Sequence, residues 1–370
     1  MSHRTRVALV FGGTSPEHSI SCLTAASVYR AIDRERYDVV GIGISRSGRW
    51  TQVPLDVLAD YAIVDGVAPR VAEPDEDAVW ISTADGCQVA TRSGEQLIDV
   101  NDVDVAFALL HGPFGEDGTI QGMFEMMGIR YVGCGVTASA IGMDKHHMRQ
   151  TFTAAGLPVG PYVVVPDRRW RHARDEVLAE VGELAFPVFV KPCRGGSSLG
   201  IVRVETPDEV PAAIEHAREF DPKVIVEAGI RGREIECAVL GNPDLPEGCE
   251  ASPLGEVRVL DADGFYDYET KYFDEDGAAL DIPARVDPEI AERIRAMARR
   301  AFVALDCEGL ARVDFFLTDD GEILLNEANT MPGFTEISMF PSLWQSTGMR
   351  YDELVARLVD MAAARRVGLR

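Results

Sequence analysis

The sequence predicts an α/β protein whose first segment forms a doubly wound domain. Two observations carry this prediction. Apolar strands alternate with helices: RVALVF is followed by two glycines and a helix through Ile32, and YDVVGIGI and DVAFALL follow as further strands. Single strands that alternate with helices are typical of a parallel sheet covered on both faces. The length of 370 residues also exceeds one ordinary core, which indicates two or three domains.

The elements of the first segment have recognisable ends. Ser15 and Pro16 fit an N-cap and the first helical position of the helix that ends at Ile32. A second helix is predicted from Thr119 to Met127, where Gly128 stops it before the strand IRYVG. Residues 51–100 are acidic and irregular, and we interpret them as an insertion or hairpin region without an assigned function.

The rest of the chain changes character. A helix is predicted from Asp144 to Gly156, and Thr206–Glu209 forms a capping box with proline at the first helical position. The strand patterns of the middle segment are FPVFVKP, IVRV and KVIVEAGI. The last segment favours antiparallel strands, because the turn sequence TDDGEI links two of them. Its strands are REIECAVLG, PLGEVRVL, ARVDFFLT and GEILLNEA, and helices follow Pro341 and Asp352.

Composition excludes several classes of protein. The formal net charge of -24 leaves no general basic face for a nucleic acid or a membrane surface. No stretch approaches the ~20 apolar residues of a membrane span, and the run Val7–Phe11 is too short for a signal-peptide core. The seven cysteines are scattered without a CxxC pair, which favours a reducing, cytoplasmic location.

The loop RGGSSLG, residues 194–200, lies between two predicted strands and has two interpretations. Its glycines and serines expose backbone N–H groups that can surround phosphate oxygens, with Lys191 as a fixed charge. A flexible hairpin tip is an equally good interpretation of the loop alone. The loop also matches G-x-S-x-G, which would make Ser198 a hydrolase nucleophile. That motif requires a following helix, whereas IVRV predicts a strand, so a serine hydrolase is the weaker alternative.

Two further glycine and histidine motifs lie at strand ends. GCGVTA, residues 133–138, fits a dinucleotide fingerprint, but no acidic residue lies ~20 positions on, so a tight turn is the better interpretation. His111 follows the predicted parallel strand DVAFALL at its carboxyl end. Ligand sites of open α/β sheets usually lie at this edge, which makes His111 a candidate site residue.

Polar side chains on two neighbouring strands near the C-terminus suggest a metal site. Glu327 and Asn329 lie two residues apart and therefore share a face, and Arg312 shares a face with Asp314 in the same way. Asp314, Glu327 and Asn329 offer the oxygen ligands that Mg²⁺ takes together with substrate phosphates. The alternative is a hairpin in which Arg312 forms salt bridges with the acids.

Taken together, the motifs resemble one family. GGTSPEHSIS, LLHGPFGEDGTIQG, GMDK, VKPCRGGSSLG, FYDYETKY, ARVDFF and NEANTMPGF occur in this order, from about Val7 to the final helix. They are similar to the D-alanine–D-alanine ligases of the ATP-grasp superfamily. The resemblance implies an N-terminal doubly wound α/β domain followed by a two-domain ATP-grasp fold. The implied domains are 1–135, which binds substrate, 136–228, the central subdomain, and 229–370, which carries the metal site.

The resemblance also implies a reaction. ATP phosphorylates the carboxylate of one D-alanine, and the amine of a second D-alanine attacks the acylphosphate. The tetrahedral intermediate collapses to D-alanyl-D-alanine, ADP and phosphate for peptidoglycan precursor synthesis. The implied cofactors are ATP and two Mg²⁺ ions, with Mn²⁺ as a substitute. The implied partners are small molecules, with no nucleic acid or membrane, and the enzyme is expected to be a homodimer.

Roles carry over by position. The resemblance assigns metal binding to Asp314, Glu327 and Asn329. It assigns substrate binding to Glu17, His111, Ser338 and Met339. It assigns catalysis to Glu17, Ser197, Tyr272, Arg312 and the backbone of Gly333. It assigns the nucleotide to Lys145, Lys191, Ser197, Ser198, Glu227, Ile230, Glu234 and Lys271.

Alternatives within and outside the superfamily stay open at this point. A ligase with D-lactate or D-serine as acceptor would keep most of these motifs. Depsipeptide-forming relatives replace the lid tyrosine that corresponds to Tyr272, so its presence favours the dipeptide. A nucleotide-binding regulator without activity would not need both the metal set and the set of Glu17, Ser197 and Tyr272.

Overall fold

A computed structural model describes residues 4–84, 86–196, 199–259, 278–366 and 368. The strands of this part of the chain are β1 (Thr5–Gly12), β2 (Tyr37–Ile44), β3 (Trp50–Val53), β4 (Asp77–Thr83), β5 (Gly86–Ser93), β6 (Gln96–Val103), β7 (Val105–Ala108), β8 (Arg130–Tyr131), β9 (Tyr162–Val165), β10 (Val188–Pro192), β11 (Val202–Val204), β12 (Val224–Ala228), β13 (Gly232–Gly241), β14 (Cys249–Val259), β15 (Ala278–Asp281), β16 (Leu310–Thr318) and β17 (Ile323–Asn329).

The helices lie between these strands and after them. They are α1 (His18–Ala31), α2 (Leu55–Ala59), α3 (Thr119–Met127), α4 (Val136–Met143), α5 (Lys145–Ala154), α6 (Asp167–His172), α7 (Arg174–Gly182), α8 (Val210–Ala217), α9 (Pro288–Ala304), α10 (Met339–Gln345) and α11 (Tyr351–Ala364). Within the described residues, no helix combines the length and the apolar composition that crossing a membrane requires.

The first sheet is the predicted doubly wound one. Its strand order is β3-β2-β1-β7-β8, and β1 pairs in parallel with both β2 and β7. The start of α1 differs from the prediction: the helix begins at His18, and Ser15 closes a turn before it. The Ser15 carbonyl accepts from the His18 N–H at 3.1 Å, and its hydroxyl accepts from the Glu17 N–H at 3.2 Å. Glu17 is therefore the N-cap residue and not part of the first turn.

The region 51–100 contains a small antiparallel sheet, β4-β5-β6, which matches the predicted hairpin region. His18 ties this region to the glycine loop after β1. Its Nδ1 lies 2.6 Å from the Gly13 carbonyl, so Nδ1 carries the proton, and its Nε2 accepts from the Val71 N–H at 3.0 Å. Burial lowers the pKa of this imidazole, in agreement with the neutral form that both bonds require.

Two antiparallel sheets form the rest of the molecule. The strand orders are β11-β10-β12-β9 and β15-β14-β13-β16-β17. The capping box is present at Thr206–Glu209, where Pro207 opens a short 3₁₀ turn before α8. Helix α4 was not predicted: it begins at Val136, inside the GCGVTA motif, so the motif is not a plain turn. The domain bounds 1–135, 136–228 and 229–370 stay a prediction.

The last helices pack against the first sheet and not only against their own segment. Phe334, Phe340 and helix α11 share one apolar cluster with β1 and β7. The Phe334 ring is fully buried, 5.9 Å from Phe107 and 5.8 Å from both Phe340 and Tyr351. The Tyr351 hydroxyl donates to the Phe334 carbonyl at 2.6 Å. Phe334 therefore fixes the loop that follows β17 against the first sheet.

We expect Phe334→Ala to lower the free energy of unfolding by about 3–5 kcal/mol, because it leaves a cavity between the two ends of the chain. The measurement is urea denaturation followed by intrinsic fluorescence. Met126→Ala, at a side chain that is 91% exposed, is the control and should change stability by no more than about 0.5 kcal/mol. Equal stability of wild type and Phe334→Ala would contradict this account of the core.

Candidate active site

One cavity of about 1610 Å³ lies where the three larger sheets meet. It collects residues that are far apart in the sequence. The predicted site residues that line it are Glu17, His111, Lys145, Lys191, Glu227, Ile230, Glu234, Arg312, Asp314, Glu327, Asn329, Gly333, Ser338 and Met339. Ser197, Ser198, Lys271 and Tyr272 lie outside the described residues, as does the whole stretch FYDYETKYF, residues 265–273, which we predict to be a lid. The role of each residue remains a prediction, while its place in the cavity is observed.

The predicted metal ligands face the cavity because of a bulge. Asp314 pairs across the sheet with Glu327, and the register shifts by one residue between Asp314 and Phe315. Phe315 then pairs with Leu325, so Asn326 is the extra residue of the bulge. The shift reverses the alternation of β17. Leu325 faces the apolar core, and Glu327 faces the cavity beside Asp314.

Arg312 is buried among these acids. Its Nε donates to Asp314 Oδ1 at 2.8 Å, and its Nη2 donates to Asp314 Oδ2 at 2.6 Å. Its Nε also lies 3.0 Å from Glu236 Oε2, and Asn329 Nδ2 donates to Asp314 Oδ2 at 2.9 Å. Burial disfavours the charged guanidinium, but Asp314 and Glu236 outweigh it and hold the pKa of Arg312 well above its usual range. The salt bridges of Arg312 with the acids, which were the alternative to a metal site, are therefore present among the predicted metal ligands.

A second buried ion cluster forms the far wall of the cavity. Arg149 Nη2 lies 2.6 Å from Glu227 Oε1, and Lys191 Nζ lies 2.7 Å from Glu227 Oε2. Burial alone would raise the pKa of Glu227, but Arg149 and Lys191 lower it to about 2, so Glu227 is a carboxylate. Beside it, Ile230 and Phe189 provide apolar surface of the kind that a nucleobase contacts.

The glycine-serine loop is anchored at its entry. Arg194 binds Asp221 through its backbone N–H at 2.9 Å and its guanidinium at 2.6 Å. Lys145, the first residue of α5, donates from Nζ to the Gly195 carbonyl at 2.8 Å. These bonds hold two loop residues next to Lys191 at the end of β10. Strand β11, and not a helix, follows the loop, as predicted, which removes the structural context of a nucleophile elbow at Ser198.

The other end of the cavity collects the predicted substrate residues. Glu17 is buried, and a Cβ on Gly112 would lie 2.6 Å from Glu17 Oε2 and displace that carboxylate; the φ of +73° at Gly112 also favours glycine. His111 is buried, with its Nε2 3.3 Å from the Thr24 hydroxyl. Ser338 precedes α10, and its hydroxyl accepts from the Thr335 N–H at 3.1 Å. Gly333 lies next to it, since an added Cβ would be 3.3 Å from the Ser338 hydroxyl.

Glu116 is a site residue that the sequence analysis did not single out. Its Oε2 accepts from the Gly112 N–H at 2.7 Å, and its Oε1 accepts from the Met331 N–H at 3.3 Å. It therefore joins the HGPFGEDG loop to the loop after β17. Burial and the nearby Glu17 carboxylate raise the pKa of Glu116 to about 8. A proton on Glu116 reduces the repulsion between these two carboxyl groups.

Comparisons with known proteins identify the family of the chain. The family model described as D-ala D-ala ligase N-terminus matches residues 6–134, and the model described as D-ala D-ala ligase C-terminus matches residues 151–360. The chain belongs to the D-ala D-ala ligase family. A relative from Mycolicibacterium gilvum, named D-alanine--D-alanine ligase, is 51% identical over 385 residues, covering 100% of each chain. A relative of the same name from Kocuria rhizophila is also 51% identical, covering 98% of this chain and 95% of the relative.

Solved structures of family members share the architecture. The VanG D-Ala:D-Ser ligase from Enterococcus faecalis superimposes with a TM-score of 0.82 at 34% identity, covering 97% of this chain and 100% of that chain. The D-alanine-D-alanine ligase from Coxiella burnetii gives a TM-score of 0.80 at 29% identity, covering 98% and 95%. The predicted fold class, a doubly wound α/β domain followed by an ATP-grasp fold, is thereby confirmed.

Three charged residues of this D-ala D-ala ligase were missed from sequence. Glu116 lies inside LLHGPFGEDGTIQG, one of the motifs that carry the resemblance, so a signal was present. Arg149 lies one turn after Lys145 on α5, and this spacing places both on one helix face. Glu236 alternates with Glu234 along β13 and therefore faces the same way. The available signal for Arg149 and Glu236 was a charged residue on the same face of a helix or strand as a predicted site residue.

The raised pKa of Glu116 predicts a pH dependence of stability. The folded protein binds a proton at Glu116 between about pH 4.5 and about pH 8, where the unfolded chain has lost it, so this group makes the free energy of unfolding fall as pH rises through that window. We expect the free energy of unfolding of Glu116→Gln to decline less than that of wild type between about pH 5 and about pH 8. The measurement is urea denaturation of nucleotide-free protein at several pH values; parallel declines would contradict the assignment.

Proposed function

We propose that this protein joins two D-alanine molecules into D-alanyl-D-alanine at the expense of ATP, through an acylphosphate, for peptidoglycan precursor synthesis. The carrying observation is that one cavity unites the carboxylate–asparagine set on β16 and β17 with the lysines beside the glycine-serine loop and with Glu17. Membership of the ligase family supports the same reaction. A phosphoryl donor, a carboxylate acceptor and an amine can therefore be held together in one space.

The nucleotide end of the cavity supplies binding and charge. Glu227 can accept from the exocyclic amine of adenine, and Glu234 lies on β13, the next strand along the chain, at the position assigned to the ribose. Lys145 and Lys191 neutralise the phosphates, and the loop that contains Ser197 and Ser198 offers backbone N–H groups to them. Lys271 is assigned to the phosphates by resemblance alone.

The reaction centre would lie between the two ends. Glu17 would hold the ammonium of the first D-alanine, with His111 beside it. Arg312 and the Gly333 N–H would stabilise the negative charge on the oxygen of the attacked carboxyl, because preorganised donors act most strongly where charge develops. Ser338 and Met339 would hold the second D-alanine. Ser197 and Tyr272 complete the proposed hydrogen-bonded set with Glu17.

The donor set suits a hard divalent cation. Asp314 and Glu327 present carboxylate oxygens toward the cavity, and Asn329 presents an amide. The bulge at Asn326 places Asp314 and Glu327 directly opposite each other. We propose Mg²⁺, with two ions and with Mn²⁺ as a substitute. A bound cation would neutralise charge on the transferred phosphoryl group.

Finer parts of the proposal concern partners and location. The presence of Tyr272 in the sequence favours an amine acceptor over D-lactate. We further propose a cytoplasmic homodimer of three domains, 1–135, 136–228 and 229–370, that binds no nucleic acid and no membrane. Light scattering of the purified protein tests the dimer, because a monomer mass at working concentration would exclude it.

The decisive experiment is phosphate release by purified protein with Mg-ATP and D-alanine, L-alanine, or D-alanine plus D-lactate, together with the mass of the product. We expect release only when D-alanine is present, with the mass of the dipeptide. Release that no amino acid stimulates would overturn the ligase function. A depsipeptide mass at neutral pH would keep the fold and overturn the interpretation of Tyr272.

Removal of a proposed metal ligand should abolish most activity. We expect Glu327→Ala to lower kcat/KM by at least about 100-fold, roughly 2.7 kcal/mol of transition-state stabilisation. Glu322→Ala, at an exposed residue just before β17, is the matched control and should retain wild-type activity. Dipeptide formation by Glu327→Ala at the wild-type rate would exclude Glu327 from the metal site.

A further inference from the structure

We propose that Glu236 is a positioning residue that keeps the Arg312 guanidinium in the cavity when Asp314 takes up a divalent cation. Neither the resemblance nor the proposed function assigns a role to Glu236. The inference rests on the proposed function, because it concerns how Arg312 remains available to the first D-alanine.

The sheet geometry places Asp314 between two acids. The strand order is β13-β16-β17, and Asp314 pairs with Glu236 on one side and with Glu327 on the other. Neighbouring strands lie about 4.8 Å apart, so Glu236 and Glu327 are separated by about two strand spacings. All three side chains line the cavity. The central carboxylate therefore belongs both to the proposed metal set and to the surroundings of Arg312.

Arg312 and a cation compete for the same two oxygens. The guanidinium occupies both Oδ1 and Oδ2 of Asp314, at 2.8 and 2.6 Å. A hard cation uses these oxygens as ligands and repels the guanidinium, so Arg312 must give up at least part of this bidentate contact. A buried guanidinium that lost its acceptors without replacement would carry a large energetic cost.

Glu236 provides the replacement. Its Oε2 already lies 3.0 Å from Arg312 Nε, the same nitrogen that donates to Asp314. If Asp314 bound the cation, a rotation of the guanidinium would let Nε donate to Glu236. The Nη groups are then directed away from Asp314 and remain available for a substrate carboxylate. Glu236 thus acts on the substrate through Arg312.

The position of Glu236 argues against a direct role as a metal ligand. Glu327 and Asn329 lie on β17, on the opposite side of Asp314, whereas Glu236 lies on β13. Two acids directly opposite on neighbouring strands repel each other unless a cation lies between them. Arg312 meets that requirement for Glu236 and Asp314, which leaves the proposed metal to the other side.

The test compares Glu236→Met, which keeps the length of the side chain but has no strong acceptor, with Glu236→Gln, whose amide oxygen can still accept from Nε. Glu256→Gln is the control. Glu256 forms a comparable carboxylate–arginine pair with Arg233 on the same sheet, but it does not line the cavity. The readouts are kcat, the KM values for ATP and for the first D-alanine, and Mg²⁺ and Mn²⁺ binding to metal-free protein by calorimetry.

We expect Glu236→Met to lower kcat/KM for the first D-alanine by about 30-fold, with KM for ATP within about twofold of wild type. Glu236→Gln should lie within about fivefold of wild type and bind both cations as wild type does. Glu256→Gln should match wild type in every parameter. If Glu236→Met fails to fold, Glu236→Ala makes the same comparison.

Two results would overturn the inference. Wild-type use of the first D-alanine by Glu236→Met would show that Arg312 needs no such partner. A loss of cation affinity of about tenfold or more in Glu236→Gln would make Glu236 a metal ligand instead. Wild-type protein is measured in the same assay. If wild type forms no D-alanyl-D-alanine, the proposed function fails; if wild type forms it and one of these two results is obtained, only the inference about Glu236 fails.

Discussion

The cavity depends on buried carboxylates that lie in direct contact with buried cations. Glu227 is bound by Arg149 and Lys191, and Asp314 by Arg312. An isolated buried carboxylate would take up a proton, whereas a paired one keeps its charge. The partners come from β10, β12, β16 and α5. The ion pairs of Glu227 thus join β12 to β10 and α5, and the contact of Arg312 with Glu236 joins β16 to β13. The same pairs carry the groups assigned to substrates.

This constraint sets what a ligand must do on entering. Lys191 contacts Glu227, and Arg312 contacts Asp314, so the proposed phosphates and substrate carboxylate would have to replace these existing acceptors. Part of the interaction energy is lost in that exchange, which limits affinity. The gain is preorganisation: both cations are already desolvated and directed into the cavity, so little reorganisation is needed when charge moves during reaction. Glu116 behaves in the opposite way to Glu227, because its raised pKa lets it hold a proton near Glu17.

Sequence alone predicted the parts that depend on local pattern. The parallel strands β1 and β2, helix α3 with its stop at Gly128, and the capping box at Thr206–Glu209 follow from periodicity and terminal residues. The start of α1 was wrong because Ser15 forms a turn instead of the cap. Arg149, Glu116 and Glu236 were missed because their importance comes from partners brought near by tertiary packing, which no single segment reveals.

The bulge in β17 decides which side of the sheet Glu327 and Asn329 face. Alternation rightly places Glu327 and Asn329 on one face, but strict alternation from Ile323 and Leu325 would put that face in the apolar core. Asn326 adds one unpaired residue, and the phase reverses: Ala328 joins the core, and Glu327 pairs with Asp314 on the cavity side. A one-residue insertion therefore lets a single strand supply apolar packing with its first half and the proposed metal ligands with its second. Because a slip of one residue would bury a carboxylate without a partner, the cross-strand pairing of Arg312 with Asn329 and of Asp314 with Glu327 also fixes the register of the sheet.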